Sequence, residues 1–255
     1  MKKRQRTIDG ELPICVYTSG RNCQRYVEQS LRSVLDQQYS NYRHIIVDDC
    51  SSDATADCVS KAIGDSPKHT FIRGEKRRFW SGNAYEFLKP NDDEIVVTLD
   101  LDDWFAHHQV LQRVNEFHQM HDCWLTYGSY QHASDGQPDT ICRPFPRSVL
   151  WKRSFRKHKW VSSHLRSFRG FLWNAMDHDE AMRGEDGEYA TTAYDVGIML
   201  PMLEMCPRGK ILYRKDILMV YNDLNPLQDH KVSRERQVAV EQWFRSRPKV
   251  PVLQR

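Results

Sequence analysis

The sequence lacks the features that mark several broad classes of protein. It has no apolar run approaching the length needed to cross a bilayer, no internal repeat and no low-complexity stretch. Its basic start, residues 1–6, is not followed by the apolar segment of a secretory signal, so we interpret residues 1–10 as a flexible basic N-terminus. With 40% hydrophobic and 28% charged residues, the composition is typical of a folded, soluble domain.

Motifs of metal cages, glycoproteins and phosphate loops are also missing. The seven cysteines form no C-x-x-C pair, which argues against a zinc cage, and there is no N-x-S/T sequon. The thiols are therefore expected to be free, as in the cytoplasm, with attachment to the periphery of a membrane left open. No Walker A loop or G-x-G-x-x-G occurs, which argues against an ATPase or a dinucleotide enzyme.

The first half of the chain alternates strand and helix signals. Apolar residues at 27, 31, 34 and 35 give one face of a helix, and helices are also expected up to residue 62, near 83–88 and around 110–117. We take Ser52 or Asp53 as the N-cap of the helix that runs to residue 62. Strands are predicted at 14–18, 44–47, 70–72 and 94–99. This alternation predicts a mostly parallel sheet with helices on both faces.

Polar residues follow three of these predicted strands. Ser19-Gly20-Arg21, Asp48-Asp49 and the run 100–103, Asp-Leu-Asp-Asp, come directly after a strand. Since ligands of such sheets bind at the carboxyl ends of the strands, these groups are expected to converge. Carboxylates two residues apart can share a hard divalent cation, whereas a simple helix cap would need only one of them. The run 100–103 therefore predicts a metal or ligand site.

The same residues resemble the start of a family-2 glycosyltransferase. The resemblance lies in residues 14–53, including Asn22, Tyr26-Val27-Glu28 and Val47-Asp48-Asp49, and in Leu99-Asp100-Leu101-Asp102-Asp103, which is similar to the family's D-x-D motif. It covers the first half of the chain. It implies a GT-A fold, a nucleotide-sugar donor, a divalent metal such as Mn²⁺ or Mg²⁺, and transfer with inversion.

The resemblance also implies roles for individual residues. Asp49 corresponds to the residue that hydrogen-bonds the nucleotide base, and Asp102 to the direct metal ligand, with Asp100 near the ribose or the metal and Asp103 able to take either role. Ser19 and Arg21 stand where the family usually has Pro and Tyr, but a guanidinium can also stack on a base. The full set of expected donor contacts is Thr18, Ser19, Arg21, Asp49, Arg78, Asp100 and Leu101.

The second half should supply a general base, because an alcohol attacks well only when its proton is accepted. Asp195 precedes the apolar run 196–203, as the family pattern requires, and is our first choice. Glu185-Asp186 looks more like the family's acidic pair, but Gly187-Glu188-Tyr189 follows it, so Asp186 is the alternative. A helix is predicted at 196–205, with short strands at 211–213 and 217–221.

Histidine and arginine side chains complete the expected site. His230 is the candidate third metal ligand, because several GT-A enzymes bring a C-terminal histidine to the metal. His164 and Arg166 are expected to face the acceptor or the diphosphate.

Residues 143–173 combine frequent Lys and Arg with aromatic residues. Such a segment can bind single-stranded nucleic acid, donor phosphates, an acidic glycan or a lipid-phosphate acceptor. It can equally be a solvated basic loop whose aromatic rings lie in the core. A nucleic-acid-binding protein would leave the aspartates unexplained, so nucleic acid is an unfavoured partner.

Together these patterns predict one α/β domain of the GT-A type. We expect residues 11–130 to bind the nucleotide-sugar, residues 131–240 to bind the acceptor and carry catalysis, and residues 241–255 to form a tail. The expected reaction is an inverting transfer from a nucleotide diphosphate-sugar, UDP-sugar first, to a hydroxyl of a glycan, lipid-linked or protein acceptor. A sugar nucleotidyltransferase is the alternative, although its Gly-rich phosphate loop is missing, since Gly20 stands alone.

Overall fold

The computed structural model describes residues 8–227 and 234–255 as one α/β domain. The strands are β1 (Ile14–Gly20), β2 (Tyr42–Asp48), β3 (His69–Arg73), β4 (Ile95–Asp100), β5 (Trp104–Phe105), β6 (Leu125–His132), β7 (Arg166–Arg169) and β8 (Ile211–Tyr221). The helices are α1 (Val27–Leu35), α2 (Thr55–Ile63), α3 (Phe79–Phe87), α4 (Val110–His121), α5 (Arg147–Lys152), α6 (Gly170–Asn174), α7 (His178–Met182), α8 (Tyr194–Met205) and α9 (Arg234–Ser246), with a 3₁₀ turn at Phe155–Lys157.

The strands form an eight-stranded sheet in the order β3-β2-β1-β4-β7-β6-β8-β5. Strands β3, β2, β1 and β4 run parallel, as the sequence predicts. β7 is antiparallel to both β4 and β6, whereas β6 and β8 are parallel to each other. The predicted mostly parallel sheet is therefore confirmed, with β7 and the edge strand β5 running against it.

Helices cover both faces of the sheet because alternate residues of the buried strands point in opposite directions. Cys15 and Tyr17 of β1 belong to a core that includes α8, while Ile14 and Val16 belong to a core that includes α4. A strand buried on both faces reads as a continuous apolar run, which is why β1 and β4 were visible in the sequence.

Local boundaries differ from expectation in three places. Helix α2 begins after Ala54, so neither Ser52 nor Asp53 is its N-cap residue, although an Asp53 carboxylate oxygen accepts the N–H of Thr55 at 3.0 Å. The two short strands expected at 211–213 and 217–221 are one strand, β8, whose pairing with β6 shifts register near Ser129. Helix α3 begins at Phe79, four residues before the predicted 83.

No helix in the described ranges is long and apolar enough to span a membrane.

Candidate active site

A cavity of about 420 Å³ opens at the carboxyl ends of β1, β2 and β4. The parallel pairing sets Gly20 beside Asp48 and Ser19 beside Asp100, so chain segments that are far apart in sequence meet here. The expected site residues that line the cavity are Ser19, Arg21, Asp49, Asp100, Asp102, Asp103, His164, Arg166 and Asp195.

The acidic run after β4 is held by hydrogen bonds from the second half of the chain. Both carboxylate oxygens of Asp100 lie 2.7 Å from the Tyr194 hydroxyl, which can donate to either. Asp102 accepts a hydrogen bond from the Asn225 side-chain amide at 2.7 Å. Asp103 is almost fully buried and accepts the backbone N–H of Asn222 at 2.8 Å. The first and second halves of the chain are thus linked through these carboxylates.

Burial and mutual repulsion make these carboxyl groups hard to ionise. Loss of hydration, with the charge of Asp102 adding to it, raises the pKa of Asp100 to about 7. Burial also raises the pKa of Asp102, and the Asn225 hydrogen bond lowers it in part. When these clustered carboxyl groups ionise, too little positive charge lies nearby to offset their mutual repulsion. A bound cation would supply that charge.

The residues present fit a metal that is shared with a ligand better than one enclosed by protein. Within residues 8–227 and 234–255, no group of three or more His, Cys, Asp or Glu side chains converges as a metal cage. Mg²⁺-like ions, however, are commonly bound by one or two carboxylates together with substrate phosphates. Asp102 and Asp100 can supply that pair. The candidate ligand His230 lies outside the described residues.

Asp49 organises the loop that precedes α3. Its two carboxylate oxygens accept the backbone N–H groups of Arg78 at 2.7 Å and Phe79 at 3.0 Å, and Arg77 Nε lies 4.0 Å away. Arg77 lines the cavity, whereas the Arg78 guanidinium lies over the Phe87 ring, 5.7 Å from its centroid. Of this pair, Arg77 is therefore the cavity-lining side chain, and Arg78 contributes its backbone to the Asp49 contact.

Two other expected donor contacts lie behind the cavity wall. The Thr18 hydroxyl is fully buried and hydrogen-bonds His44 Nε2 at 2.9 Å. Leu101 is fully buried in a small core with Cys23 and Val27. A Cβ added at Gly20 would come within 2.5 Å of the Leu101 Cβ, so the wall at this point requires glycine.

Asp195 lies in the first turn of α8, where one oxygen accepts the N–H of Val196 at 2.9 Å. Its other oxygen is 3.7 Å from the Arg166 guanidinium, whose side chain is only 2% exposed. Burial raises the pKa of Asp195, and the charge of Arg166 lowers it in part. The rival pair Glu185 and Asp186 is exposed, outside the cavity lining; Asp186 accepts the N–H of Glu188 in a turn.

The comparisons with known proteins agree with this geometry. The sequence model of Glycosyl transferase family 2 matches residues 14–171, more than half of the chain. The chain belongs to glycosyltransferase family 2.

Relatives and solved structures support this family assignment. The chain is 29% identical over 126 residues to a putative teichuronic acid biosynthesis glycosyltransferase, TuaG, of Bacillus subtilis, covering 49% of this chain and 50% of that protein. It is 30% identical over 132 residues to an uncharacterised glycosyltransferase of Nostoc, covering 51% of this chain and 40% of that protein. The chain thus spans half or less of the length of each of these two relatives.

The fold matches those of solved glycosyltransferases at low sequence identity. S. aureus TarS superposes with a TM-score of 0.62 and 18% identity, covering 83% of this chain and 60% of that one. A mannosyltransferase of Pyrobaculum calidifontis, solved with GDP-Man and Mn²⁺, superposes with a TM-score of 0.60 and 17% identity, covering 95% of this chain and 66% of that one. These matches confirm the predicted GT-A fold of the family-2 chain.

Three aromatic side chains that line the cavity have no role predicted from the sequence: Trp80, Tyr194 and Tyr221. The Trp80 and Tyr194 rings stack in parallel with centroids 4.1 Å apart, and they join α3 to α8 beside Asp100. His164 stacks on Tyr221 with centroids 5.7 Å apart. Tyr194 directly precedes Asp195, so the sequence carried a signal for it; the partner of Trp80 was not readable without the fold.

The basic-aromatic segment 143–173 is divided in the structure. Most of its aromatic rings are buried or half-buried, and Arg156 is bound to the buried Glu204 of α8 at 2.9 Å. Arg166 belongs to the active-site cavity. The interpretation with aromatic residues in the core therefore holds for most of the segment, and helix α5 with Trp151 is the exception.

Proposed function

We propose that this chain transfers a glycosyl group from a nucleoside-diphosphate sugar to an acceptor hydroxyl, with a divalent metal and with inversion at the anomeric carbon. The observation that carries the proposal is the meeting of Asp49, Asp100, Asp102 and Asp195 in one cavity. In this proposal, the four carboxylates bind the nucleotide base, hold the metal and the diphosphate, and accept the proton of the acceptor around one donor molecule. The family and the fold support the same reaction.

The donor would lie along the carboxyl ends of β1, β2 and β4. Asp49 would face the nucleotide base, with Arg21 and Arg77 as guanidinium planes on which a base can stack. TarS is solved with UDP and with UDP-GlcNAc, and the archaeal mannosyltransferase with GDP-Man. We place UDP-sugars first and GDP-sugars second.

Asp102 and Asp100 would hold a divalent cation, Mn²⁺ or Mg²⁺, together with the donor diphosphate. When bound, such a cation supplies Lewis-acid neutralisation of the charge on the leaving nucleoside diphosphate. His230 stays a candidate third ligand from the sequence.

Asp195 would accept the proton of the acceptor hydroxyl. Its first-turn position on a helix that is buried over 196–205 holds the carboxylate rigidly at the cavity wall. Arg166, with His164 against its guanidinium, keeps positive charge beside the reacting groups. An acceptor oxygen activated there would attack the face of the sugar opposite the diphosphate and give inversion. The acceptor is a glycan, a lipid-linked sugar or a protein.

Donor binding and hydrolysis test the proposal directly. Thermal unfolding and calorimetry with UDP, GDP and their sugar conjugates, each with and without Mn²⁺, should show metal-dependent binding and slow release of free sugar. EDTA should abolish the hydrolysis, and added Mn²⁺ or Mg²⁺ should restore it. Full activity in the presence of EDTA would refute the metal requirement. If no nucleotide binds, the assignment of the cavity as the donor site is refuted.

A further inference from the structure

A second cavity, of about 610 Å³, lies between α5 and the loop that follows α8. The loop begins at Cys206, whereas Asp195 is in the first turn of the same helix, which has 12 residues. A helix of that length is about 18 Å long. The second cavity is therefore at the opposite end of α8 from the active site and shares no lining residue with it.

The second cavity is lined by positive charge without compensation. Arg147, Lys152, Arg153 and Arg208 line it, and its described lining contains no Asp or Glu. In the part of the chain that the structure describes, none of these four takes part in an ion pair within 4.0 Å. Lys249 brings a further cation next to this lining, since its ammonium group donates to the carbonyl of Lys152 at 3.0 Å. Such a concave cationic surface attracts anions.

One of these cations is held in place and incompletely satisfied. A terminal guanidinium nitrogen of Arg153 donates to the carbonyl of Val250 at 3.1 Å, while its Nε is buried and lacks a hydrogen-bond partner. A buried donor without a partner is costly, so the hydrogen bonding of this guanidinium within the protein is incomplete. The cationic lining is thus partly preorganised by the C-terminal segment.

The rim also offers a flat aromatic face. The Trp151 ring is 66% exposed, and the Arg208 guanidinium stacks on it at 4.2 Å from the ring centroid. Leu150, Phe155 and Ile211 give the cavity apolar wall. The face of an aromatic ring is electron-rich and attracts the C–H groups of a sugar ring, so this rim suits a pyranose.

We propose that this second cavity binds a glycan that carries carboxylate or phosphate groups. One sugar ring packs on Trp151 and Arg208, and its acidic groups are bound by Arg147, Lys152 and Arg153. Single-stranded nucleic acid is disfavoured because it uses successive aromatic platforms, and the other aromatic rings of 143–173 are buried or half-buried. The choice of a glycan rests on the proposed function; the cavity itself does not.

The test is calorimetric titration of the full chain with an oligogalacturonide, a neutral malto-oligosaccharide of equal length, and inorganic polyphosphate. The acidic glycan should bind, and the neutral one should bind at least about tenfold more weakly. Polyphosphate, which has no sugar ring, should bind to the cations without contacting Trp151. Lys152→Gln/Arg208→Gln should weaken oligogalacturonide binding roughly tenfold. Lys61→Gln removes one exposed cation on α2, outside the cavity lining; it is a single-charge control and should leave binding unchanged.

A site-specific signal comes from the exposed indole. The difference in fluorescence between wild type and Trp151→Phe isolates Trp151, and the oligogalacturonide should protect it from acrylamide quenching. Equal binding of the neutral sugar, no protection of Trp151, or binding that Lys152→Gln/Arg208→Gln leaves intact would overturn the proposal. So would Arg208-dependent capture of anionic phospholipid vesicles without any oligogalacturonide binding.

Donor hydrolysis separates this proposal from the proposed function. The Lys152→Gln/Arg208→Gln protein should retain wild-type hydrolysis and its thermal unfolding temperature, because both residues lie outside the active-site cavity. If the chain binds the acidic glycan but no nucleotide-sugar, the proposal for the second cavity is supported and the proposed glycosyltransferase function is refuted.

Discussion

Asp195→Asn should abolish most transfer while leaving the donor site intact. Asparagine keeps the size of the side chain and can still accept the N–H of Val196, now 2.9 Å from an Asp195 oxygen. It cannot take a proton from the acceptor, and general-base catalysis is worth about two to four orders of magnitude in rate. That loss is about 3–5 kcal/mol of barrier, since each tenfold in rate is about 1.4 kcal/mol.

The electrostatics predict that donor affinity survives this change. The negative charge of Asp195 contributes to the raised pKa of Asp100, so its removal should make Asp100 easier to ionise. Arg166 loses a counter-charge 3.7 Å away but keeps the attraction of Asp100. Metal and donor binding should therefore be unchanged or slightly tighter, as measured by calorimetry beside initial transfer rates.

Asp186→Asn is the matched control, because Asp186 is exposed in a turn outside the cavity lining. It should transfer sugar within about twofold of wild type, as expected for a surface substitution away from the site. If Asp186→Asn is inactive and Asp195→Asn nearly normal, the assignment of the second half is wrong, although the nucleotide half would stand.

Other predictions address the metal, the base and the fold. Since the pKa of Asp100 is raised to about 7, Mn²⁺ affinity should fall by up to about tenfold per pH unit below that value. In Asp100→Asn this dependence should weaken, leaving only the part that comes from Asp102, whose pKa is also raised. The contribution of Asp100 to folding has the opposite sign, because a carboxyl group with a raised pKa destabilises the metal-free protein as pH rises from about 4 through 7. Measured relative to Asp100→Asn, the urea midpoint of the wild type should therefore fall over that pH range unless Mn²⁺ is present. Asp49→Ala should raise the donor KM more than it lowers kcat, because it removes ground-state binding and frees the loop before α3; an unchanged KM would exclude Asp49 from the donor site. Arg156→Ala should lower the free energy of unfolding by about 3–5 kcal/mol, because it leaves the buried Glu204 carboxylate without its ion-pair partner. The control Arg32→Ala, which breaks an exposed ion pair within a helix, should lower it by about 0.5 kcal/mol or less. Equal urea midpoints of the two variants would contradict this.

The first half of the chain was predictable because its signals are local. Strands β1, β2 and β4 are buried apolar runs followed at once by polar residues, and parallel pairing then forces Asp49 and Asp100 to one edge of the sheet. The convergence of these residues thus followed from strand order alone. The hydrogen-bond partners of these residues could not be predicted in this way, because the contact of Tyr194 with Asp100 joins positions that are 94 residues apart.

The second half was harder because its strands are short or polar. β7 reads Arg-Ser-Phe-Arg, without an apolar run or a clear alternation, and β6 contains a glycine and several hydroxyl groups. Their place in the sheet is decided by tertiary pairing, which overrides local propensity. Thr18 shows that side-chain contacts were hard to predict in the first half as well. Whether its hydroxyl faces the cavity or hydrogen-bonds His44 depends on the direction of one side chain.

Strand β7 has a consequence for any attempt to recombine or divide this molecule. It is four residues long, it is hydrogen-bonded between β4 and β6, and it carries Arg166, the neighbour of Asp195. The boundary between the first and second halves of the chain therefore contains part of the candidate active site. A chimera that exchanges the second half of the chain must import β7 together with α8. A split protein cut before β7 must rebuild a central strand from its second fragment before the candidate active site can form.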